Sequence, residues 1–256
     1  MHTELTFNLS TLYGFLLVLA RVSGVIAFVP IPGLSAGPEV SRIILALALT
    51  ISLLPVWPAP ALSGALLGRL IGWVGTEAAF GLTIGLAVSF LLEGLQMAAQ
   101  MIGLQAGYSF ASTIDPSTQA DTTTLQMMAQ LFAGSLFFAF GFDRQVIHIL
   151  ARSLETIPSG TYMLTGPIVE AVTHLGSAIF STGLQLAIPV LALLLLLDIA
   201  FAVLGRLQTQ LQVLSLSFTI KTLTALVFLG AVLSFYPAVF QKVGTVTFTT
   251  LMRLLN

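Results

Sequence analysis

Leu62 to Phe110 reads LSGALLGRLIGWVGTEAAFGLTIGLAVSFLLEGLQMAAQMIGLQAGYSF. A helix needs about 20 apolar residues to span a hydrocarbon core of ~30 Å, and this run is far longer. It reads as one long apolar helix with an unusual seam. Glu77, Gly81, Gly85, Ser89 and Glu93 recur every four residues, and Gln96, Gln100, Gly103 and Gly107 continue at three or four. At 100° per residue each four-residue step drifts by about 40°, so the seam winds around the helix. Small residues let helix backbones approach closely where little hydrophobic force drives association. Glu and Gln on the same face need partners, because an unpaired polar group in lipid is costly. Such a face packs against other subunits, lines a water-filled path, or packs within the chain's own bundle.

The rest of the chain has the same character. Of 256 residues, 57% are hydrophobic and 7% charged, against about 25% charged in ordinary globular chains; mean hydropathy is +1.02. Nine basic and ten acidic residues cannot keep the surface of such a chain in water. The fold class expected is all-α and membrane-associated. A transmembrane β-barrel would alternate in polarity, whereas the charge-free intervals here are solid apolar blocks. A net charge of −1 argues against a nucleic-acid partner, which would meet a basic face. With no cysteine, disulfides, thiolate metal sites and cysteine nucleophiles are excluded. The first apolar stretch lacks a basic flank before Arg21, so it is expected to be retained rather than cleaved as a signal peptide.

Proline and glycine punctuate the map. Pro30, Pro32, Gly33, Gly37 and Pro38 end a first helix, and Pro55, Pro58 and Pro60 stop a second. The pair reads as a helical hairpin, Leu9–Val29 and Glu39–Leu54. After the long third helix, Ser109 to Thr124 (SFASTIDPSTQADTTT) holds the turn signal Asp115-Pro116 in a Ser/Thr/Asp cluster and reads as a loop. Helix resumes from Thr124 to Leu154, with a break near Gly141-Phe142-Asp143. Ile157 to Pro167 is a second loop. Val169 to Leu204, a polar turn at Arg206–Gln212, Phe218 to Phe235 and an amphipathic tail after Tyr236-Pro237 complete the order. Between Gln210 and Lys221 apolar and polar residues alternate as in a strand, but the flanking blocks favour a helix–turn–helix connection.

Enzyme chemistry finds no footing. His2, His148 and His174 lack metal-ligand spacing, and Gly107-Tyr108-Ser109-Phe110-Ala111 only grazes the GxSxG pattern. No catalytic group, metal or cofactor is expected. Glu170, His174, Ser177, Ser181 and Gln185 form a second seam on the Val169–Leu204 helix. Charges inside apolar runs mark functional candidates: Arg21, Arg42, Asp198, Arg206 and Lys221. Asp198 and Arg206 stand about 12 Å apart in rise and are not expected to pair directly on one helix. Arg144, His148 and Arg152 share a face and mark a solvated helix end.

These residues resemble a known family. Leu19-Ala20-Arg21-Val22-Ser23-Gly24 through Pro30, Gly33, Pro38 and Arg42 is similar to the start of the FliR proteins, export-gate subunits of the flagellar type III secretion apparatus related to injectisome SctT subunits. The likeness continues through Glu93–Gln100, Tyr108–Ala111 and Asp115-Pro116, then His148, Leu154 and Pro158. It returns at Ile188-Pro189-Val190 to Asp198 and at Leu204-Gly205-Arg206 with Gln210 and Val213. Coverage is nearly end to end and in order. Thr209, Gln212, Ser217 and Thr219 depart from the family pattern, in what the resemblance makes a cytoplasm-facing hairpin.

The resemblance implies one subunit, with a FliP-like portion (1–168) that includes a plug loop at 109–124, followed by a FliQ-like portion (169–256). It implies assembly with FliP-like and FliQ-like subunits into a pore in the bacterial inner membrane, at the flagellar basal body. FlhB-like and FlhA-like components then engage it, and unfolded secreted proteins pass through. Tyr108, Ser109, Phe110, Ile114, Asp115 and Pro116 would carry the plug. The competing class is a small secondary transporter with broken helices and charges at a midplane site, for which Pro189 and Asp198 are the nearest candidates.

Overall fold

The computed structural model describes residues 9–29, 39–57, 67–108, 124–163, 165–207 and 213–254. Among the described residues seven α-helices follow in order: α1 Leu9–Phe28, α2 Glu39–Ser52, α3 Leu67–Ala106, α4 Thr124–Ala139, α5 Phe142–Thr156, α6 Gly166–Leu207 and α7 Val213–Leu254. No strand occurs among the described residues, and the fold is all-α. Among the described residues four helices are long and apolar enough to cross a membrane, or up to five spans if the bent pair α4–α5 counts as one.

Helix ends fall where the punctuation puts them. Pro55 halts α2 and sits in a 3-10 turn, Leu54–Val56. That turn brings Trp57 back onto the hairpin: its indole N–H donates to the Thr50 carbonyl at 2.9 Å, and its ring meets Phe15 at 5.5 Å. Helix α3 stops at a left-handed cap. Gly107 takes φ +89°, the Tyr108 N–H donates to the Gly103 carbonyl at 2.9 Å, and the Gly107 N–H donates to Leu104 at 3.2 Å. This is a Schellman arrangement, which needs a residue tolerant of positive φ. Gly141, at φ +68°, likewise separates α4 from α5.

One boundary differs from the sequence reading. Tyr236-Pro237 does not set off a separate tail, because α7 runs unbroken through Pro237, as α6 runs through Pro189. Proline inside an apolar helix is tolerated when the freed carbonyl is re-satisfied by local adjustment or neighbouring groups. The alternating stretch before Lys221 is helical from Val213 onward.

The chain divides into two compact units. The first comprises residues 1–89, 137–175 and 244–256. Its core joins Leu17, Val18 and Val22 of α1 to Phe80, Ile84 and Val88 of α3, with Ile149 and Leu150 of α5 and Phe248 and Leu251 at the end of α7. Here α1 and α3 nearly touch. A Cβ at Gly81 would stand 2.0 Å from the Arg21 carbonyl oxygen, one at Gly24 2.6 Å from that of Ala78, and one at Gly85 2.7 Å from that of Val25. The second unit comprises 90–136 and 176–243. Leu92, Leu95, Ala99 and Ile102 of α3 form its core with Leu125 and Ala129 of α4, Ala187, Val190 and Leu194 of α6, and Ala225, Leu229 and Tyr236 of α7.

Candidate functional site

The seam on α3 divides its duties. Gly81 and Gly85 are taken up inside the first unit by α1, the within-chain alternative for that part of the seam. Glu77, one turn earlier, is fully buried and paired with Arg21, which is also fully buried. The carboxylate accepts from Arg21 Nε and from the Gly160 N–H at 3.0 Å. Arg21 further donates to Ser153 Oγ at 3.0 Å and to the Ile157 carbonyl at 3.5 Å. Its guanidinium lies over the Phe80 ring, 4.8 Å from the centroid. Phe80 meets the edge of Tyr162 at 4.8 Å, and the Tyr162 hydroxyl is 3.0 Å from Thr83 Oγ1.

A buried charge pair is retained only when its remaining donors and acceptors find partners, and here each guanidinium nitrogen and each carboxylate oxygen has at least one. Helices α1, α3 and α5 and the loop after α5 are thereby held together. Gly160 turns that loop at φ +80°, where a Cβ would lie 2.2 Å from the Trp73 ring. Burial raises the Tyr162 phenol above its ordinary value, partly offset by the Thr83 hydrogen bond.

Further along α3 the seam changes face. Gln96 and Gly103 are buried, whereas Glu93 and Gln100 are exposed. At the C-terminal end of α3 the second unit gathers a polar cluster. Asp198 of α6 pairs with Lys221 of α7 at 2.8 Å and accepts from Gln105 Nε2 of α3 at 3.0 Å. Tyr108 donates its hydroxyl to the Thr222 carbonyl at 3.1 Å, and its phenol is raised by burial. The Phe218 ring closes over Gly107, leaving 2.8 Å to any added Cβ. The last turn of α3, from which the chain enters residue 109, is therefore fixed to α6 and α7.

Not every candidate is brought together. Asp198 pairs with Lys221 rather than Arg206, which is exposed. Arg42 is half-buried outside both clusters. The second seam, Glu170, His174, Ser177, Ser181 and Gln185, is exposed throughout, as are Arg144, His148 and Arg152 of α5. Ser109, Phe110, Ile114, Asp115 and Pro116 lie outside the described residues, as do Thr209 and Gln212. Sequence reasoning missed Gln105, Ser153, Gly160 and Tyr162. Only Gly160, after Pro158-Ser159, carried a local signal, that of a turn. Among the described residues no group of three or more His, Asp or Glu is placed to hold a metal.

Residues 12–245 match the family described as bacterial export proteins, family 1. The flagellar biosynthetic protein FliR of Escherichia coli (strain K12) is 32% identical over 219 residues, 84% of this chain and 82% of that one. FliR of Bacillus subtilis (strain 168) is 26% identical over 254 residues, 94% of each chain. The surface presentation of antigens protein SpaR of Salmonella typhimurium is 26% identical over 217 residues, 79% of this chain and 76% of that one.

Proposed function

We propose, from the premise that this chain belongs to the bacterial export proteins, family 1, that it is a gate subunit in a protein-conducting pore of a type III export apparatus. Membership makes it a membrane component of such an apparatus. The finer reading is that a FliP-like portion, 1–168, and a FliQ-like portion, 169–256, assemble with FliP-like and FliQ-like subunits. FlhB-like and FlhA-like components engage that pore in the inner membrane, at the flagellar basal body. Unfolded proteins cross through it, and the segment 109–124 obstructs it at rest.

One observation carries this reading. Helices α6 and α7 are 42 residues each, about 63 Å at 1.5 Å per residue, twice the thickness of a hydrocarbon core. Only 28% of one apolar window and 22% of the other are buried within the chain. Polar Glu170, His174 and Gln185 stand among the exposed residues of α6. Helices this long, this bare and this polar along one seam suit contact with sister subunits better than immersion in lipid. Glu93 and Gln100, exposed on α3, fit a wet or protein-lined face for the same reason.

The gating role follows from the root of the 109–124 segment. Gln105, Tyr108 and the Asp198–Lys221 pair hold that root in place, so a polar segment leaving it has a fixed point of origin. Irregular polar backbone at membrane depth is tolerated only within protein or a water-filled cavity. The test deletes residues 114–122 and measures ion or dye leak through the assembled complex. Increased leak with intact co-purification of the partner subunits is expected; an assembled complex with unchanged leak refutes the plug.

A further inference from the structure

From residue 90 to its end, α3 belongs to the second unit, and its exposed side chains there fall on a single line. Glu93, Gln100 and Leu104 are exposed, Leu104 by 60%, and Met97 between them is half-buried. No other residue from 90 to 106 is exposed. At 100° per residue the three exposed positions lie within about 40° of one another, and Met97 widens the arc only to about 60°. Gln96 and Gly103, on one flank of the line, are buried. On the other flank α6 closes in: a Cβ at Gly183 would stand 3.1 Å from the Met97 Cβ and 3.2 Å from the Gly94 carbonyl oxygen. Helix α6 is different, because its exposed residues come in neighbouring pairs, Phe180–Ser181, Leu184–Gln185 and Ile188–Pro189, and make a broad face. The line on α3 is instead a slot one side chain wide and about 16 Å long.

Steps of four, three and four residues are those at which one helix meets a single neighbouring helix. The chemistry along the line narrows what can cover it. Lipid would leave the Glu93 carboxylate and the Gln100 amide unsatisfied, and water would give Met97 and Leu104 nothing to bury against. A docked helix can serve all four, provided that it neutralises Glu93. Among the described residues no cation pairs with Glu93, and neither it nor Gln100 makes a hydrogen bond. A carboxylate covered without an opposite charge is strongly destabilising, so the complement of this slot is cationic at one height.

We propose that the slot receives a helix of another subunit that carries Lys or Arg opposite Glu93, an amide or hydroxyl residue seven positions away opposite Gln100, and apolar residues opposite Met97 and Leu104. This rests on the reading of the chain as one of several gate subunits and specifies the chemistry of one neighbour.

The experiment uses membranes that hold the assembled complex. Benzoylphenylalanine replaces Leu104, or, as a control on the broad face of α6, Phe180, which is 64% exposed. After irradiation the crosslinked peptide is identified by mass spectrometry. The Leu104 probe is expected to label a helix of another subunit with Lys or Arg about eleven residues from the labelled position. Glu93→Lys should then lower co-purification of that subunit at least about tenfold, the penalty of opposing two like charges, and Glu93→Gln should lower it less. Reversing the mapped cation to Glu should restore the Glu93→Lys complex, a rescue that a misfolded chain would not give. The slot is refuted if the Phe180 probe labels protein while the Leu104 probe labels only lipid, detergent or its own chain; the sister-subunit reading then stands. If neither probe labels another subunit, that reading and the slot fall together. A labelled helix without a cation in reach, undiminished co-purification of Glu93→Lys, or absence of rescue also overturns the proposal.

Discussion

Gly81→Ala tests the closest glycine contact between helices among the described residues. The added Cβ would stand 2.0 Å from the Arg21 carbonyl oxygen, 3.0 Å from its carbon and 3.1 Å from the Gly24 Cα. All three are backbone atoms, so no side chain can swing aside. Ordinary contact begins near 3.4 Å, and α1 must therefore retreat from α3 by about 1.4 Å. Overpacking of this kind costs about 1–3 kcal/mol. The retreat also strains the Arg21–Glu77 pair one turn away, and a broken buried pair costs about 3–5 kcal/mol. Alanine returns about 1 kcal/mol through helix propensity. The net loss is expected to be about 0–2 kcal/mol if the pair is only strained and about 3–7 kcal/mol if it breaks, against the ~5–15 kcal/mol that holds a typical protein folded. The assay is thermal melting of the purified chain in detergent, followed by far-UV circular dichroism. Gly75→Ala, on the same helix with nothing within 4 Å of its Cβ, is the control and should gain about 0.5–1 kcal/mol. If the two variants melt alike, the close approach of α1 and α3 is refuted.

Three further outcomes follow from the clusters. Arg21→Met or Glu77→Leu alone should cost about 3–5 kcal/mol, while the double variant recovers most of it; additive losses in a double-mutant cycle would contradict the pairing. Asp198→Asn or Lys221→Ala should cost only about 1 kcal/mol, because the pair is partly exposed and screened, and added salt should narrow the gap from wild type. Tyr162 is neutral in the fold with a raised pKa, so the unfolded phenol ionises first as pH climbs. Stability should be flat below pH ~10 and fall as pH rises from there through the folded value. Tyr162→Phe, which keeps the ring against Phe80, should lessen that fall, leaving the part due to the raised Tyr108 phenol, at the cost of about 1 kcal/mol for the Thr83 hydrogen bond.

Helix ends were legible where the backbone itself dictates them. Proline after Phe28 and after Ser52 and glycine after Ala106 act locally, and the observed ends of α1, α2 and α3 lie at those signals. Pro237 misled because its effect depends on what surrounds the freed carbonyl, which no local pattern encodes. The seam on α3 was visible as spacing, but which neighbour received each part was not. Gly81 and Gly85 face α1 across more than fifty residues of chain, and Glu93 and Gln100 remain outward. Charges gave the same lesson. Arg21 in an apolar run announces that some partner exists, yet Glu77 is 56 residues away and Ser153 132 residues away. Asp198 has Arg206 eight residues on, but it pairs with Lys221 of α7 instead.

The Arg21–Glu77 pair also constrains how the chain is made. Ribosomes add about 5–20 residues per second, so Arg21 waits roughly 3–11 s for its carboxylate to be synthesised, and longer for Ser153. During that interval α1 holds a naked cation, and insertion scales charge about 2.5–3.5 kcal/mol for arginine at the middle of a span. The apolar residues of α1 offset a cost of that size, so the cation does not bar the hairpin from the bilayer, but the arrival of Glu77 on α3 relieves the penalty.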